Sequence, residues 1–313
     1  MSPVRILATM VNYRVANSAL RCLEPLVQDL SELQGRVLVV DNDLPGDDLR
    51  RLQEGSQVHG DAVEVISSGE NGGFGYGCNI GLRRGLGLRP RPDYLMLINP
   101  DAEPEPGCSR ALVEYMDAHP EVGIAAPRIR DDDGVGTRVS GFRFPNVLGE
   151  FAQHTRLDLF FNLFAEHLVA PVDASSQQPG PTDWVTGACM LIRPAMLEAI
   201  GLFDEGFFLY FEEVDLCLRA HQAGFERHVV GDAYIRHVGG IATGIKERGR
   251  RLPSYWFESR RRFFRKNRGP GYSAAVMAAS LVGHSVFALQ YSARGKRLDS
   301  PPKYARDLLL NGF

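Results

Sequence analysis

Short apolar runs of strand length alternate with helix-like stretches through the first hundred residues of this 313-residue chain. Ile6 to Val11, Val37 to Val40, Val63 to Ser67 and Tyr94 to Ile98 read as strands. Val15 to Leu30 and Gly75 to Leu86 read as helices with one apolar face. Continuous apolar runs separated by helical patterns require strands buried on both faces. That is the signature of a mostly parallel sheet flanked by helices. Such sheets bind ligands beyond the carboxyl ends of their strands. The polar residues that follow the runs are Asn12, Asp41 and Asp101, so all three are expected along one edge of the sheet.

Composition removes several alternatives. The net charge is −3, with 44% hydrophobic and 23% charged residues, which excludes wholesale disorder. It also argues against a dedicated nucleic-acid binder, which carries a strongly basic domain. Cysteines 22, 78, 108, 189 and 217 are odd in number and form no CxxC pair. They read as buried, reduced packing residues rather than a zinc site or a disulfide framework. The start of the chain does not resemble a signal peptide, because Asn12, Tyr13 and Arg14 interrupt the apolar run. A cytoplasmic protein is expected, with peripheral contact at the cytoplasmic membrane face left open.

The second half is less regular. Residues 128 to 145 resemble a hairpin around Asp131, Asp132, Asp133 and Gly134, and residues 170 to 183 have loop composition. Gly187 to Ile192 returns to strand character. Phe211 to Ala223 reads as a helix with acidic residues in its first turn, Val214, Cys217, Leu218 and His221 on one face, and Gly224 as its stop. From Lys246 to Arg268, ten basic residues face two acidic ones. The apolar segment Ser273 to Gln290 follows; it is at the edge of the length needed to span a bilayer, and its weak hydrophobicity argues against a span. The chain is therefore read as a domain over residues 1–245 and a basic, apolar helical extension over 246–313.

Four segments carry candidate chemistry. In Leu97-Ile98-Asn99-Pro100-Asp101 a buried strand ends in a carboxylate that suits a divalent cation shared with phosphate oxygens. A cap on a helix beginning near Pro104 is the competing role. Glu70-Asn71-Gly72-Gly73-Phe74-Gly75-Tyr76-Gly77 opens a helix, so its amides are able to approach an anion or its glycines to serve close packing. It matches neither GxGxxG nor a P-loop. Phe203-Asp204-Glu205 through Tyr210-Phe211-Glu212-Glu213-Val214-Asp215 delivers carboxylates to a helix start. Burial and a like-charged neighbour there would raise a carboxyl into the range of a general base. His237, in Ile235-Arg236-His237, is able to complete a metal site.

Together with Val11-Asn12-Tyr13, Val40-Asp41-Asn42 and Thr186-Gly187-Ala188, these segments stand in the order and spacing of a known family. The chain resembles a family 2 glycosyltransferase of the GT-A fold, in its rhamnosyltransferase-like branch, over roughly residues 4 to 245. The resemblance implies an α/β fold of the nucleotide-diphospho-sugar transferase type, with a mostly parallel central sheet and a C-terminal helical extension. It implies metal-dependent, inverting transfer of a sugar, rhamnose from dTDP-rhamnose as the best guess, to a glycan or lipid-linked glycan in cell-surface polysaccharide synthesis.

By the same resemblance, Asp101 and His237 hold the cation, Mg²⁺ or Mn²⁺. Asn12, Asp41, Asn42 and Asn71 face the nucleotide sugar, as do Gly73, Phe74, Asn79 and Asn99. Trp184, Thr186, Gly187 and Asp215 lie on the acceptor side. The family's catalytic base falls on Glu213, with Glu212 as the alternative because Glu replaces the usual Asp. The first position of the metal motif is Asn99, which leaves Asp101 most of the metal contact. A homodimer stays open. So do two other classes: a non-catalytic nucleotide- or glycan-binding protein on the same fold, and a nucleotidyltransferase.

Overall fold

The computed structural model describes residues 4–44, 46–130, 136–138, 140–155, 180–237, 249–295 and 300–312. It divides into two compact units. The first comprises Met1–Gly141, Val172–Phe208 and Glu212–Ala242; the second comprises Phe142–Pro171, Leu209–Phe211 and Thr243–Phe313.

The first unit is built on a ten-stranded sheet. Its strands are β1 (Ile6–Asn12), β2 (Gly35–Asp41), β3 (Val63–Ser67), β4 (Tyr94–Ile98), β5 (Ala102–Pro104), β6 (Val122–Arg130), β7 (Thr137–Arg138), β9 (Gly180–Pro181), β11 (Cys189–Ile192) and β12 (Glu226–His237). Two-residue strands β8 (Gly141–Phe142) and β10 (Trp184–Val185) stand outside it. The order is β3-β2-β1-β4-β11-β6-β12-β5, with β7 beside β6 and β9 beside β12. Strands β1, β2, β3, β4, β6 and β12 run the same way. Every residue of β1 and of β4 is buried, which is why both read as unbroken apolar runs. Registers Asn12↔Asp41 and Met10↔Ile98 align the carboxyl ends of β1, β2 and β4. His237 ends β12 at the same edge, because β12 is parallel to β6.

Helices α1 (Ala16–Ser31), α2 (Asp48–Ser56), α3 (Phe74–Gly87), α4 (Cys108–Ala118), α6 (Pro194–Ile200) and α7 (Glu212–Gln222) complete this unit, and α5 (Val147–Thr155) belongs to the second. Helix α3 meets the sheet through glycines four residues apart. A Cβ at Gly77 would sit 2.7 Å from Val11, at Gly81 2.0 Å from the Thr9 hydroxyl, and at Gly85 2.3 Å from Leu95. The close-packing role of this glycine series is therefore real. All five cysteines are buried and unbridged, and burial pushes the thiols of Cys22, Cys189 and Cys217 up to about 12.

The second unit is helical: α5, α8 (Ser254–Arg268), α9 (Pro270–Ala293) and α10 (Tyr304–Asn311). Gly269, at φ 87°, makes the turn between α8 and α9. Arg260 is fully buried, its guanidinium 2.7 Å from Glu150 and bonded to the Ser280 hydroxyl, so the charge enters the interior already paired. The Tyr304 hydroxyl meets His154 at 2.6 Å.

Several expectations change. No helix begins near Pro104. Residues 102–104 form β5, antiparallel to β12, and α4 starts at Cys108, so Asp101 caps no helix. His221 is exposed in the last turn of α7, whereas Val214, Cys217 and Leu218 are buried as expected; in that turn Ala220 is the buried residue. Gly180–Pro181 is a strand rather than loop. The apolar segment is longer than its sequence core, since α9 extends to 24 residues. The turn at 131–134 lies outside the described residues, but its flanks pair as a hairpin, Ile129↔Arg138 and Arg130↔Thr137.

The α3 contact predicts that Gly81→Ala lowers stability by about 1–3 kcal/mol through overpacking. Gly87→Ala, with nothing within 4 Å of the added carbon, should be nearly neutral. Denaturant titration of both variants checks this; equal effects would contradict the packing.

Candidate active site

At the ends of β1 and β2, Asn12 donates to Asp41 at 2.7 Å and to Asp48 at 3.0 Å, and accepts from the Val15 amide at 3.3 Å. Its amide is fully used, and it fixes the Asp41 carboxylate. The second oxygen of Asp41 is buried with no partner, as is the side-chain oxygen of Asn42. Burial, the largest cause, raises the Asp41 carboxyl above its ordinary range. Two buried acceptors without donors at the carboxyl edge of a parallel sheet are groups that a bound ligand would satisfy. The Asn42 side chain donates to the Gly73 carbonyl at 2.9 Å and so ties the glycine loop to β2.

Gly73 has φ 93°, and a Cβ there would fall 2.0 Å from the Phe208 carbonyl oxygen. Only glycine fits this position. The Asn71 side chain accepts from the Gly73 amide at 3.2 Å, and the Phe74 amide donates to Phe208 at 3.1 Å. The first amide of α3 is therefore spent within the protein. Asn79, buried, exchanges bonds of 3.0 Å with the Phe203 backbone in both directions and donates to Glu205 at 2.8 Å. It clamps α3 to the 203–205 turn.

Beyond β4 the chain folds back through an Asn99–Ala102 turn into β5, where Ala102 is the register partner of His237. That reversal brings Asp101 within 3.2 Å of His237 Nε2, with the Asn99 amide 3.4 Å from the same nitrogen. The Asn99 backbone amide donates to Ala188 at 2.9 Å, which holds the Thr186–Ala188 turn beside it. Gly187 faces the Phe74 ring, 3.6 Å from where its Cβ would be, and Trp184 is half-buried in β10. Asp101 supplies a carboxylate, a ligand suited to Mg²⁺ or Mn²⁺, with the His237 imidazole beside it. Among the described residues no three His, Cys, Asp or Glu side chains converge as a metal cage. A carboxylate beside an imidazole is the kind of pair that a cation sharing its ligands with phosphate oxygens uses.

The carboxylates of α7 follow two consecutive left-handed residues, Tyr210 at φ 70° and Phe211 at φ 68°, a conformation that costs bulky residues energy. Glu212 is buried and packs toward Gly75 of α3, and Glu213 is half-buried beside it. Each has one carboxylate oxygen buried without a partner. Burial, then the charge of Glu213, raises Glu212 well above the ordinary carboxyl value. Burial pushes Glu213 up to about 7, with the Glu213 and Val214 amides pulling the other way. A carboxyl near neutrality is matched to proton abstraction. Asp215 is different: fully buried, it binds Arg219 at 2.9 Å, and Arg219 holds the Ile200 and Leu202 carbonyls.

Every expected site residue thus lies on the first unit's sheet edge or on the loops and helix starts around it. Asn12, Asn79 and Asp215 are consumed by internal bonds. Sequence reasoning missed Asp48, which accepts from Asn12 and, at 3.1 Å, from the Ala16 amide. It also missed Asp43, bonded to Arg14 at 2.9 Å. The acidic pattern Asp41-Asn42-Asp43 directly after a buried strand was the available signal.

Residues 8–176 match the profile of glycosyl transferase family 2. An N-acetylglucosaminyl-diphospho-decaprenol L-rhamnosyltransferase of Mycobacterium tuberculosis is 29% identical over 188 residues, 58% of this chain and 61% of that protein. The rhamnosyltransferase WbbL of Escherichia coli is 29% identical over 175 residues, 55% of this chain and 62% of that protein. The chain therefore spans about three fifths of the length of these relatives. Among solved structures, the mannosyltransferase PcManGT of Pyrobaculum calidifontis, in complex with GDP-Man and Mn²⁺, aligns with a TM-score of 0.58 at 16% identity, covering 99% of this chain and 80% of that one. GalNAc-T7 with UDP, GalNAc and Mn²⁺ aligns with a TM-score of 0.56 at 13% identity, covering 75% and 44%. The fold is that of the GT-A transferases.

The raised carboxyls make stability depend on pH. Their ordinary value is 4.5, and Glu213 reaches about 7 in the folded chain. Between these values the folded state holds more protons than the unfolded one, so stability falls as pH rises and then levels off. Glu213→Gln removes the buried charge. It should be more stable than the unaltered protein by about 1–3 kcal/mol at pH 8, with the advantage shrinking toward pH 5. Urea titrations across this range check it; a pH-independent difference would contradict the assignment.

Proposed function

Because this chain belongs to glycosyl transferase family 2, we propose that it transfers a sugar from a nucleotide diphosphate donor to a glycan or lipid-linked glycan, inverting the anomeric centre. The observation that carries this reading is the pairing, at the carboxyl edge of one sheet, of unsatisfied acceptors at Asp41 and Asn42 with the Asp101–His237 pair, together with the raised carboxyls of Glu212 and Glu213 at the start of α7. The names of the two rhamnosyltransferase relatives support rhamnose from dTDP-rhamnose as the donor and cell-surface polysaccharide assembly as the setting.

The free oxygen of Asp41 accepts a hydrogen bond from the nucleoside, its geometry fixed by Asn12. Asn42, Asn71, Gly73, Phe74 and Asn99 form the rest of the donor wall, with Asn79 as a positioning residue. Asp101 and His237 would hold Mg²⁺ or Mn²⁺, which when bound supplies positive charge against the diphosphate leaving group. Trp184, Thr186 and Gly187 border the acceptor, and the Asp215–Arg219 pair orients α7. Glu213 takes the proton of the acceptor hydroxyl as that oxygen attacks the face opposite the leaving group. Burial and the neighbouring charge of Glu213 favour the protonated form of Glu212, which limits repulsion within the pair. A single displacement needs no covalent glycosyl-enzyme.

Two variants test the assignment. Glu213→Gln should cut turnover by roughly 10²–10⁴-fold, with nucleoside diphosphate affinity little changed. A dead Glu212→Gln beside an active Glu213→Gln would exchange their roles. Asp101→Asn should abolish the Mn²⁺-dependent part of nucleoside diphosphate binding in calorimetry; unchanged affinity would remove Asp101 from the cation site.

A further inference from the structure

We propose that the outer faces of α9 and α10 seat the second unit on an anionic lipid surface. The inference rests on this unit alone and is independent of the transfer reading. Helix α9 is 24 residues long and its apolar window is only 33% buried. Its inner side, Ser273, Val276, Met277, Ser280, Gly283 and Phe287, is buried. There Gly283 abuts α5, whose Phe151 carbonyl would lie 2.9 Å from an added Cβ, and Ser280 and Met277 meet Arg260 of α8. The opposite side, Ala275, Ala278, Val282, Ser285 and Leu289, is exposed at three- and four-residue spacing.

An apolar helix face needs cover. Val282 is 54% and Leu289 72% exposed, and on α10 Leu309 and Leu310 are 55% and 65% exposed. With Leu148 of α5, five of the eight exposed large hydrophobic residues among those described fall in this unit.

Charge identifies the occupant. The described residues of this unit carry twelve Arg and Lys against three Asp and Glu, although the whole chain is net −3. Two of the three acids, Glu150 and Asp307, are buried against Arg260 and Arg251. Exposed Arg265, Lys266 and Arg268 stand just before the apolar stripe, and exposed Arg294 stands at its end. A stripe of apolar side chains flanked by cations at both ends matches the boundary between acyl chains and anionic headgroups. A second copy would set cation against cation. A bilayer crossing would strip the inner side of α9 from Arg260 and Glu150. The stripe therefore lies along the surface.

The experiment is co-sedimentation of the full chain with phosphatidylcholine vesicles, with and without roughly a third phosphatidylglycerol. Binding should require the anionic lipid and fall as NaCl is raised from about 0.1 M to about 0.5 M. Val282→Asp with Leu289→Asp should weaken it about tenfold or more, and so should Arg265→Glu with Arg268→Glu, whose exposed side chains leave the helical core untouched. Melting temperature and Mn²⁺-dependent nucleoside diphosphate binding should not change, so loss of lipid binding is separable from loss of the donor site. Equal pelleting with neutral vesicles, or none with anionic vesicles at low salt, would overturn the proposal. So would a dimer in analytical ultracentrifugation that Leu289→Asp dissociates while lipid binding persists.

Discussion

The first unit depends on how closely α3 approaches the sheet. Gly77, Gly81 and Gly85 leave no room for a side chain against Val11, Thr9 and Leu95. The helix axis is thereby pinned over β1 and β4, and its amino end is pinned at their carboxyl edge. The Gly73 loop, the Phe208 carbonyl and the start of α7 then have one arrangement. Gly73 lies against the backbone of Phe208, and Gly75 lies against the side chains of Phe203 and Glu212.

The electrostatics of the candidate site rest on burial. Desolvation is the leading cause of the raised carboxyls of Glu212 and Glu213. Parallel strands bring Asn12, Asp41, Asp101 and His237 to one edge, although 225 positions of sequence separate the first from the last. The buried bonds of Asn12, Asn79 and Asp215 serve neither solvent nor ligand. They hold rigid the groups whose oxygens are unsatisfied, which is how a site is organised before its substrate arrives.

Much of this was legible in the sequence, for physical reasons. Tyr94–Ile98 is buried on both faces, so its run is unbroken and its end marks Asn99 and Asp101. The carboxylate pair is local in sequence, so its presence was readable, whereas its burial against Gly75 was not. Strand β5 was hidden because Ala102-Glu103-Pro104 has no period of its own; it exists through pairing with Ile235–His237. His221 continued the apolar face by spacing alone, but in the last turn the buried residue is Ala220. Asp48 sits in a polar helix whose sequence gives no hint that it meets Asn12. The apolar core of α9 was evident, but not its length or its half-covered state.

The central claim is a single displacement at this edge, driven by a buried carboxyl and a nucleotide diphosphate leaving group. The most direct measurement is the anomeric configuration of the first-formed product, followed by proton NMR in real time with dTDP-rhamnose and an acceptor glycan. The account predicts a product opposite in configuration to the donor from the earliest time points. A product with retained configuration would contradict it.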